Sequence, residues 1–567
     1  MPSLPLRPLS ESFNMALNGA GEPAQVEMTK MRNYLRDAQS TIERDRNELA
    51  RVGKKEVLKR NFAFMSMLGF GCIVLNTWEG VLILFVMGFA NGGPSGLVYG
   101  FIITWIGTLS IFTVLSELSS MVPTSGGQYY WCAMLGPRKY RKLLSYVTGW
   151  LTVCGWQGAA TSAFLLAGSI VQSLIILNDD TYEPKSWQAL LIMYACIIGA
   201  VLTNTVVSSF LPAIEGAILI CHVVGFFAIL ITVTYLAPVH NSATEVFNFF
   251  LNNGGWPTQG LSVFIGIIST VFIFLGADSV IHMSEEVQNA SVTVPRATIM
   301  SIMVNGALGF GMLIGILFSL GDDLKSLLKS PYGYPFIQIF MNSTRSRSAS
   351  TVLTAVLLAL IFFSTIGVVA TASRMTWSFA RDRGLPGWRT LSKVDSRTSI
   401  PFAAISLTAV ISVLLLLISL GSPTALSDII SFSVNSFYGS YMISAALLLW
   451  CRLTGRIKEP GDDVAASAMD ANGNFNLVWG PWRLRGWWGI ANNAFACAWM
   501  TVVLFFSSWP NETPVTAATM NYSIFITIFV VVASAMYYWF WAKKAYVGAI
   551  VEVEAVESRE VSQHLKA

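Results

Sequence analysis

Glu79 and Asp278 are carboxylates set inside apolar runs, the first in "CIVLNTWEGVLILF" from Cys72 to Phe85 and the second in "FIFLGADSV" from Phe272 to Val280. An acid at the centre of such a run costs about 2.5 to 3.5 kcal/mol when the run is buried in lipid, so a compensating use is expected. Two are available: the charged form attracts a cation, and a desolvated carboxyl is poised to gain and lose a proton near neutral pH. His222 stands in another apolar run, where a lone histidine is more often a satisfied core residue. In "HMSEE", His282 precedes Glu285 and Glu286 by three and four residues. On a helix that spacing can ligate a metal, but no further ligands accompany it, and a hydrogen-bonded gate is the favoured reading. No metal and no other cofactor is expected. Glu117 and Glu215 stand near the ends of apolar runs and read as pairing or gating groups.

The elements that must carry these residues are membrane helices. Of 567 residues, 54% are hydrophobic and 12% are charged, roughly half the charged share of an ordinary soluble domain. Twelve apolar stretches long enough to cross a hydrocarbon core of about 30 Å as helix are read at about 62–90, 95–121, 145–176, 187–206, 212–236, 261–283, 297–320, 349–373, 401–420, 425–450, 489–506 and 521–541. They are continuous instead of alternating at period two, so an all-α integral membrane fold is expected and not a barrel. The organisation expected is a polar N-terminal tail over 1–60, a transporter domain over 61–541 and a short C-terminal tail over 542–567. No short apolar core near the start marks a secretory signal, so the first span is expected to direct insertion.

Basic residues fix the expected orientation, because Lys and Arg favour cytoplasmic loops. With the N-terminus inside, the inner connections hold Arg138, Lys139, Arg141, Lys142, Arg296, the six basic residues from Arg374 to Arg397, then Arg452, Arg456, Lys458, Arg483 and Arg485. The outer ones hold only Lys185, Lys325, Lys329, Arg345 and Arg347. Both termini are therefore expected in the cytoplasm, and the sequons at Asn342 and Asn511 fall outside as candidate glycosylation sites. The seven cysteines lie in or beside spans without paired spacing, so no disulfide framework is inferred. No basic face with interleaved aromatics points to nucleic acid.

The first and sixth spans share a feature: each is interrupted by glycine, and each carries one acid. Paired interruptions at matching places in two halves point to an inverted repeat whose broken helices meet at the bilayer midplane. A break frees backbone N–H and C=O groups that hydrocarbon cannot satisfy, so a substrate or coupling ion is expected there.

Three motifs in order, "SELSSMVPTSGGQYYW" (Ser116 to Trp131), "GADSVIHMSEEVQNASVTVPRA" (Gly276 to Ala297) and "SRMTWSFARDRGLP" (Ser373 to Pro386), resemble fungal amino acid/choline transporters of the amino acid-polyamine-organocation superfamily. The resemblance runs from about Lys54 to Lys544. It implies a leucine-transporter-like five-plus-five inverted repeat with discontinuous helices 1 and 6. Repeat one would cover about 62–236, repeat two about 261–450, and two added helices about 489–541. It also implies a fungal plasma-membrane secondary transporter, typically proton-coupled, for amino acids, 4-aminobutyrate, choline or related amines.

Carried onto this chain, the family pattern places Asn76, Thr77, Trp78 and Glu79 at the first break. The expected substrate site joins these to Trp156, Phe274, Gly276 and Asp278. Proton coupling is assigned to Glu79, Asp278 and His222, and gating to Glu117, His282 and Glu285. Superfamily members that hold α-amino acids present a run of small residues at the first break, where this chain has "LNTW". That departure, with the faces of Trp78, Trp150, Trp156 and Phe274, favours an amine-bearing solute of choline or 4-aminobutyrate type. Each aromatic face is worth about 0.5 to 2 kcal/mol to a quaternary ammonium. Ser364, Thr365, Phe437 and Tyr438 are further candidates to face the centre. A transporter-like nutrient sensor and an exporter of a cationic metabolite remain open. An enzyme is not expected, because no nucleophile-base pair has recognisable spacing.

Overall fold

The computed structural model describes residues 45–546 and 548, apart from 51, 208–210, 322–329, 423, 461–474, 476 and 518. Lys325 and Lys329, used above to orient the chain, lie outside the described residues, as do 1–44 and 549–567 of the expected tails. The fold is all-α. Among the described residues only two isolated β-bridges occur, Phe62 with Val287 and Lys458 with Val478.

The main helices are α1 (Phe64–Leu75), α2 (Thr77–Ile83), α3 (Phe85–Met121), α4 (Gln128–Leu135), α5 (Arg141–Asn178), α6 (Ser186–Val206), α7 (Leu211–Leu236), α8 (Gln259–Ile273), α9 (Ser279–His282), α10 (Ala290–Phe318), α11 (Pro335–Thr344), α12 (Arg347–Arg381), α13 (Phe402–Leu416), α14 (Ala425–Leu453), α15 (Gly486–Phe506) and α16 (Ser523–Tyr537). Ten helices among the described residues are long and apolar enough to cross a membrane, counting α1 and α2 as one. Two expected spans fall short of that measure. The sixth is interrupted, leaving α8 with 15 residues, and the tenth, α14, is long but carries a run of Ser and Asn along its length.

Both expected interruptions are present. Between α1 and α2, Asn76 takes the left-handed conformation (φ 52, ψ 38), which among residues with a side chain Asn tolerates best. Helix six stops at Ile273, turns through Gly276 at φ 102, and resumes at Ser279. Within α3, Gly93 is non-helical and Pro94 follows, so Phe85 onward extends α2 before the next crossing begins. Helix α12 continues past the expected span end at 373, so Arg374 and Arg381 ride on its last turns.

Helix α5 packs along α12 and α14, while α1 packs against α7, α10 and α12. The two breaks thus face each other inside a ring of helices. The segment leading into α1 closes one end of that ring, called here the N-terminal face. Phe62 exchanges backbone hydrogen bonds with Glu286 and Gln288, Tyr130 Oη donates to Val52 O at 2.6 Å, and Lys54 Nζ lies 2.6 Å from Asp382 Oδ1 with both side chains fully buried.

Candidate substrate site at the helix breaks

A cavity of about 80 Å³ lies at the breaks, several times the volume one water molecule requires. Its lining is mostly apolar. Val74, Leu75 and Asn76 bound it on the first break, Leu275 and Gly276 on the second, and Trp156 and Phe437 supply ring faces from α5 and α14. The polar side chains in the lining are Asn76, Ser162 and Ser364, and none is charged. Trp156 is fixed edge-on to Phe437, with ring centroids 5.1 Å apart and planes at 84°.

Of the eight residues expected to bind substrate, Asn76, Trp156 and Gly276 line this cavity, while Thr77, Trp78, Glu79, Phe274 and Asp278 are absent from its wall. Thr77 ties the two breaks together, its Oγ1 donating to Ile273 O at 3.1 Å and its N–H reaching Asn305 Oδ1 at 3.4 Å. Phe274 packs against Phe101 with ring centroids 5.1 Å apart and planes tilted at 58°. Trp78 is fully buried against His222 and Phe226. Ser364 and Phe437 join the lining, whereas Thr365, Tyr438 and Trp150 do not.

Glu79 is fully buried and turned toward α7, where its Oε1 meets His222 Nδ1 at 2.7 Å. The Asn76 amide, oriented by its neighbours, places its nitrogen 3.2 and 3.3 Å from the two Glu79 oxygens and its oxygen 3.2 Å from Ser364 Oγ. Asn76 therefore touches both the cavity and the carboxylate of the Glu79–His222 pair. Sequence reasoning named Glu79 and His222 separately; neither composition nor spacing could pair side chains on α2 and α7, 143 residues apart.

Asp278 belongs to a second buried cluster. Its Oδ2 accepts from Gln128 Nε2 at 3.0 Å and lies 3.3 Å from His282 Nε2. His282 Nδ1 faces the Ser125 carbonyl at 3.0 Å. A carbonyl only accepts, so in this orientation Nδ1 carries the hydrogen and Nε2 is turned to Asp278. Trp156 lies edge-on to the His282 ring at 5.9 Å, which joins this cluster to the cavity wall.

Ion pairs cover the N-terminal face. Arg381 grips both oxygens of Glu285 at 2.9 and 2.8 Å, and Ser125 N donates to the same carboxylate at 3.1 Å. Burial alone would raise the Glu285 pKa, but Arg381, Lys54 and that N–H outweigh it and hold the carboxyl below its ordinary value. Arg374 pairs with Glu286 at 2.9 Å. Asp382 receives Tyr129 Oη at 2.8 Å in addition to Lys54. Glu117 pairs with Arg452 and accepts Leu484 N at 2.7 Å. Sequence reasoning missed Lys54 and Asp382, since a lysine in a polar tract and an aspartate in "ARDRG" look like solvated charges. The sequons lie elsewhere: Asn342 is exposed on α11 and Asn511 is exposed between α15 and α16. Among the described residues no group of three or more His, Cys, Asp and Glu could hold a metal ion.

The family model described as "Amino acid permease" matches residues 62–531. A choline transporter of Saccharomyces cerevisiae is 30% identical, with 89% of this chain and 84% of that protein covered. The GABA-specific permease of the same yeast is 26% identical over 91% of this chain and 87% of its own length. Among solved structures, a manganese transporter of Eremococcus coleocola shares the fold with a TM-score of 0.52 at 13% identity, covering 87% of this chain and 95% of its own.

Proposed function

The chain belongs to the amino acid permease family, and on that premise we propose that it is a proton-coupled secondary transporter of a small amine-bearing solute, working by alternating access. The observation that carries this reading is the position of Asn76: it terminates α1 at the break, walls the cavity, and holds the buried Glu79–His222 pair. A solute entering the cavity competes for the Asn76 amide, which loosens its hold on the Glu79 carboxylate. Losing a donor destabilises a buried charge, so the proton affinity of the pair and the occupancy of the cavity become linked. Linkage of that kind is what symport requires.

The lining favours a choline-like solute over a simple α-amino acid. It contains no arginine or lysine to meet a carboxylate, while Trp156 and Phe437 offer faces to a quaternary ammonium. The relatives named for choline and for GABA accord with that class. Glu79 then exchanges the driving proton and does not touch the solute.

The N-terminal face is taken as cytoplasmic in a fungal plasma membrane. The segments 1–60 and 542–567 are proposed as cytoplasmic tails, 62–236 and 261–450 as the two repeats, and 489–541 as the added helices. Glu117, His282 and Glu285, with Lys54 and Asp382, form the inner gate, and Asn342 and Asn511 are outer glycosylation sites. The test is a competition panel of choline, 4-aminobutyrate and basic and neutral amino acids in a host lacking its own permeases. Inhibition by choline at lower concentration than by any α-amino acid supports the reading, and the reverse order overturns the substrate class.

A further inference from the structure

Glu215 is a buried acid that stands apart from the ion pairs and the cavity described above. It sits one turn into α7, is 1% exposed, and makes no hydrogen bond or ion pair among the described residues, with Oε2 fully enclosed and unpartnered. A carboxyl kept in that condition is costly unless it is protonated or used. Among the described residues, no helix packed against α7 offers a cation to neutralise it. Helix α1 carries no charged residue, only Cys72, and α11 carries none. Helix α10 carries Arg296, which is exposed. On α12, Arg347 pairs with Asp180 at the far end, while Arg374 and Arg381 are engaged by Glu286 and Glu285. Besides Cys221, which is exposed, and Tyr235 near its far end, the titratable group on α7 itself is His222, facing Glu79.

His222 stands seven residues after Glu215. Two turns of helix put both on nearly the same face of α7, about 10 Å apart along the axis. That face is the one against α1. Any Cβ at Gly69 would come within 2.7 Å of the Glu215 carbonyl oxygen and 3.4 Å of Leu219 Cβ, so the α1 and α7 backbones touch over Glu215. The imidazole Nε2 of His222 is also buried and unpartnered. Two buried polar atoms thus lack partners along one stripe that begins at the Glu79–His222 pair and ends near the N-terminal face.

We propose that Glu215 is the second proton site of the transport cycle, receiving the proton from the Glu79–His222 pair and releasing it at the N-terminal face when α1 tilts away from α7. The proposal rests on the coupling reading above. In the step, His222 or Glu79 gives up one proton as α1 begins to lift from α7, water admitted to the stripe by that movement carries it, and the Glu215 carboxylate takes it up and becomes the acid. On opening, hydration of Glu215 returns that proton to bulk water and restores the carboxylate. Helix α1 acts as the cover, and Gly69 is what lets it lie flush on Glu215.

Two measurements test this. Infrared titration of the full chain in lipid nanodiscs should reveal a protonated-carboxyl band that responds to pH, vanishes in E215Q and persists in E79Q; a band unchanged in E215Q overturns the proposal. In proteoliposomes loaded by a pH gradient, with labelled choline as probe, E215Q should lose net accumulation by at least tenfold while choline–choline counterflow stays within twofold of wild type. E215D should restore part of the accumulation. Retained counterflow shows that the variant is folded and binds. Gradient-driven wild-type uptake that is unchanged in E215Q overturns the proposal alone, and loss of both accumulation and counterflow in E215D as well as E215Q makes Glu215 structural and overturns it too. Wild-type accumulation indifferent to the gradient overturns the coupling reading, and this proposal with it.

Discussion

At the scale of single residues, the site consists of an uncharged wall with the buried Glu79–His222 pair behind it. Glu79→Gln keeps the size and the hydrogen bond to Asn76 but removes the titrating group, so uptake should be abolished while the protein still inserts and binds solute. Wild-type uptake in that variant would remove Glu79 from the cycle. Trp156→Leu should weaken a quaternary ammonium roughly 2- to 30-fold, the range that loss of one cation–π face allows. Inhibition by an uncharged isostere of the same shape should change less; equal losses for both would mean that the indole merely fills space. The residues that sequence reasoning could name were those whose type is anomalous for their surroundings. Glu79, Asp278 and His222 were legible because a titratable group in a run of Ile, Leu and Phe is costly. What each one faces was not, because side-chain direction depends on the break at Asn76. Asn76 swings α2 so that Glu79 points to His222 and away from the cavity.

At the scale of elements, two broken helices and one strap of chain do the work. The second break was legible from glycine, at Gly276, whereas the first falls at Asn76, which also accepts positive φ, and not at Gly69, Gly71 or Gly80 nearby. The strap from Asp45 to Phe62 was not legible, since its mixed charges resemble any solvated tract. Its role is set by distant partners: Asp45 Oδ2 accepts Asn289 N at 2.8 Å, and Lys54 is enclosed with Asp382. Removing one member of a buried pair leaves the other charged and unpaired, at about 3 to 5 kcal/mol. Lys54→Ala should therefore loosen the N-terminal face, seen as faster labelling of a cysteine placed near Tyr129, and labelling at the wild-type rate would show that the pair is not a latch. Glu285 offers a pH test. Because its native pKa is lowered, its stabilising contribution is complete above the ordinary carboxylate value of about 4.3 and is lost as pH falls through the lowered value. The difference in thermal stability between wild type and Glu285→Gln should stay constant from about pH 8 to pH 5 and shrink only in stronger acid. A difference that changes between pH 6 and 8 would mean that Glu285 itself titrates during transport.

At the scale of the whole molecule, the cavity lies beside the breaks while the buried ion pairs cluster at one face and the exposed Arg347–Asp180 pair lies at the other, an asymmetry expected of a carrier closed on the first side. The two faces differ in kind: the N-terminal one is bolted by charge, and the opposite one carries the exposed sequons. Salt bridges can break and re-form, whereas the packing of α5 along α12 and α14 gives a frame against which α1 and the α8–α9 segment can move. The central claim is that the proton gradient drives solute inward through Glu79. Its most direct measurement is accumulation of labelled choline in sodium-free proteoliposomes under an imposed pH gradient, with and without a protonophore. Accumulation that requires the gradient, collapses on adding the protonophore and is missing in Glu79→Gln is the predicted result. Accumulation that survives the protonophore, or that appears only when sodium is supplied, would contradict it.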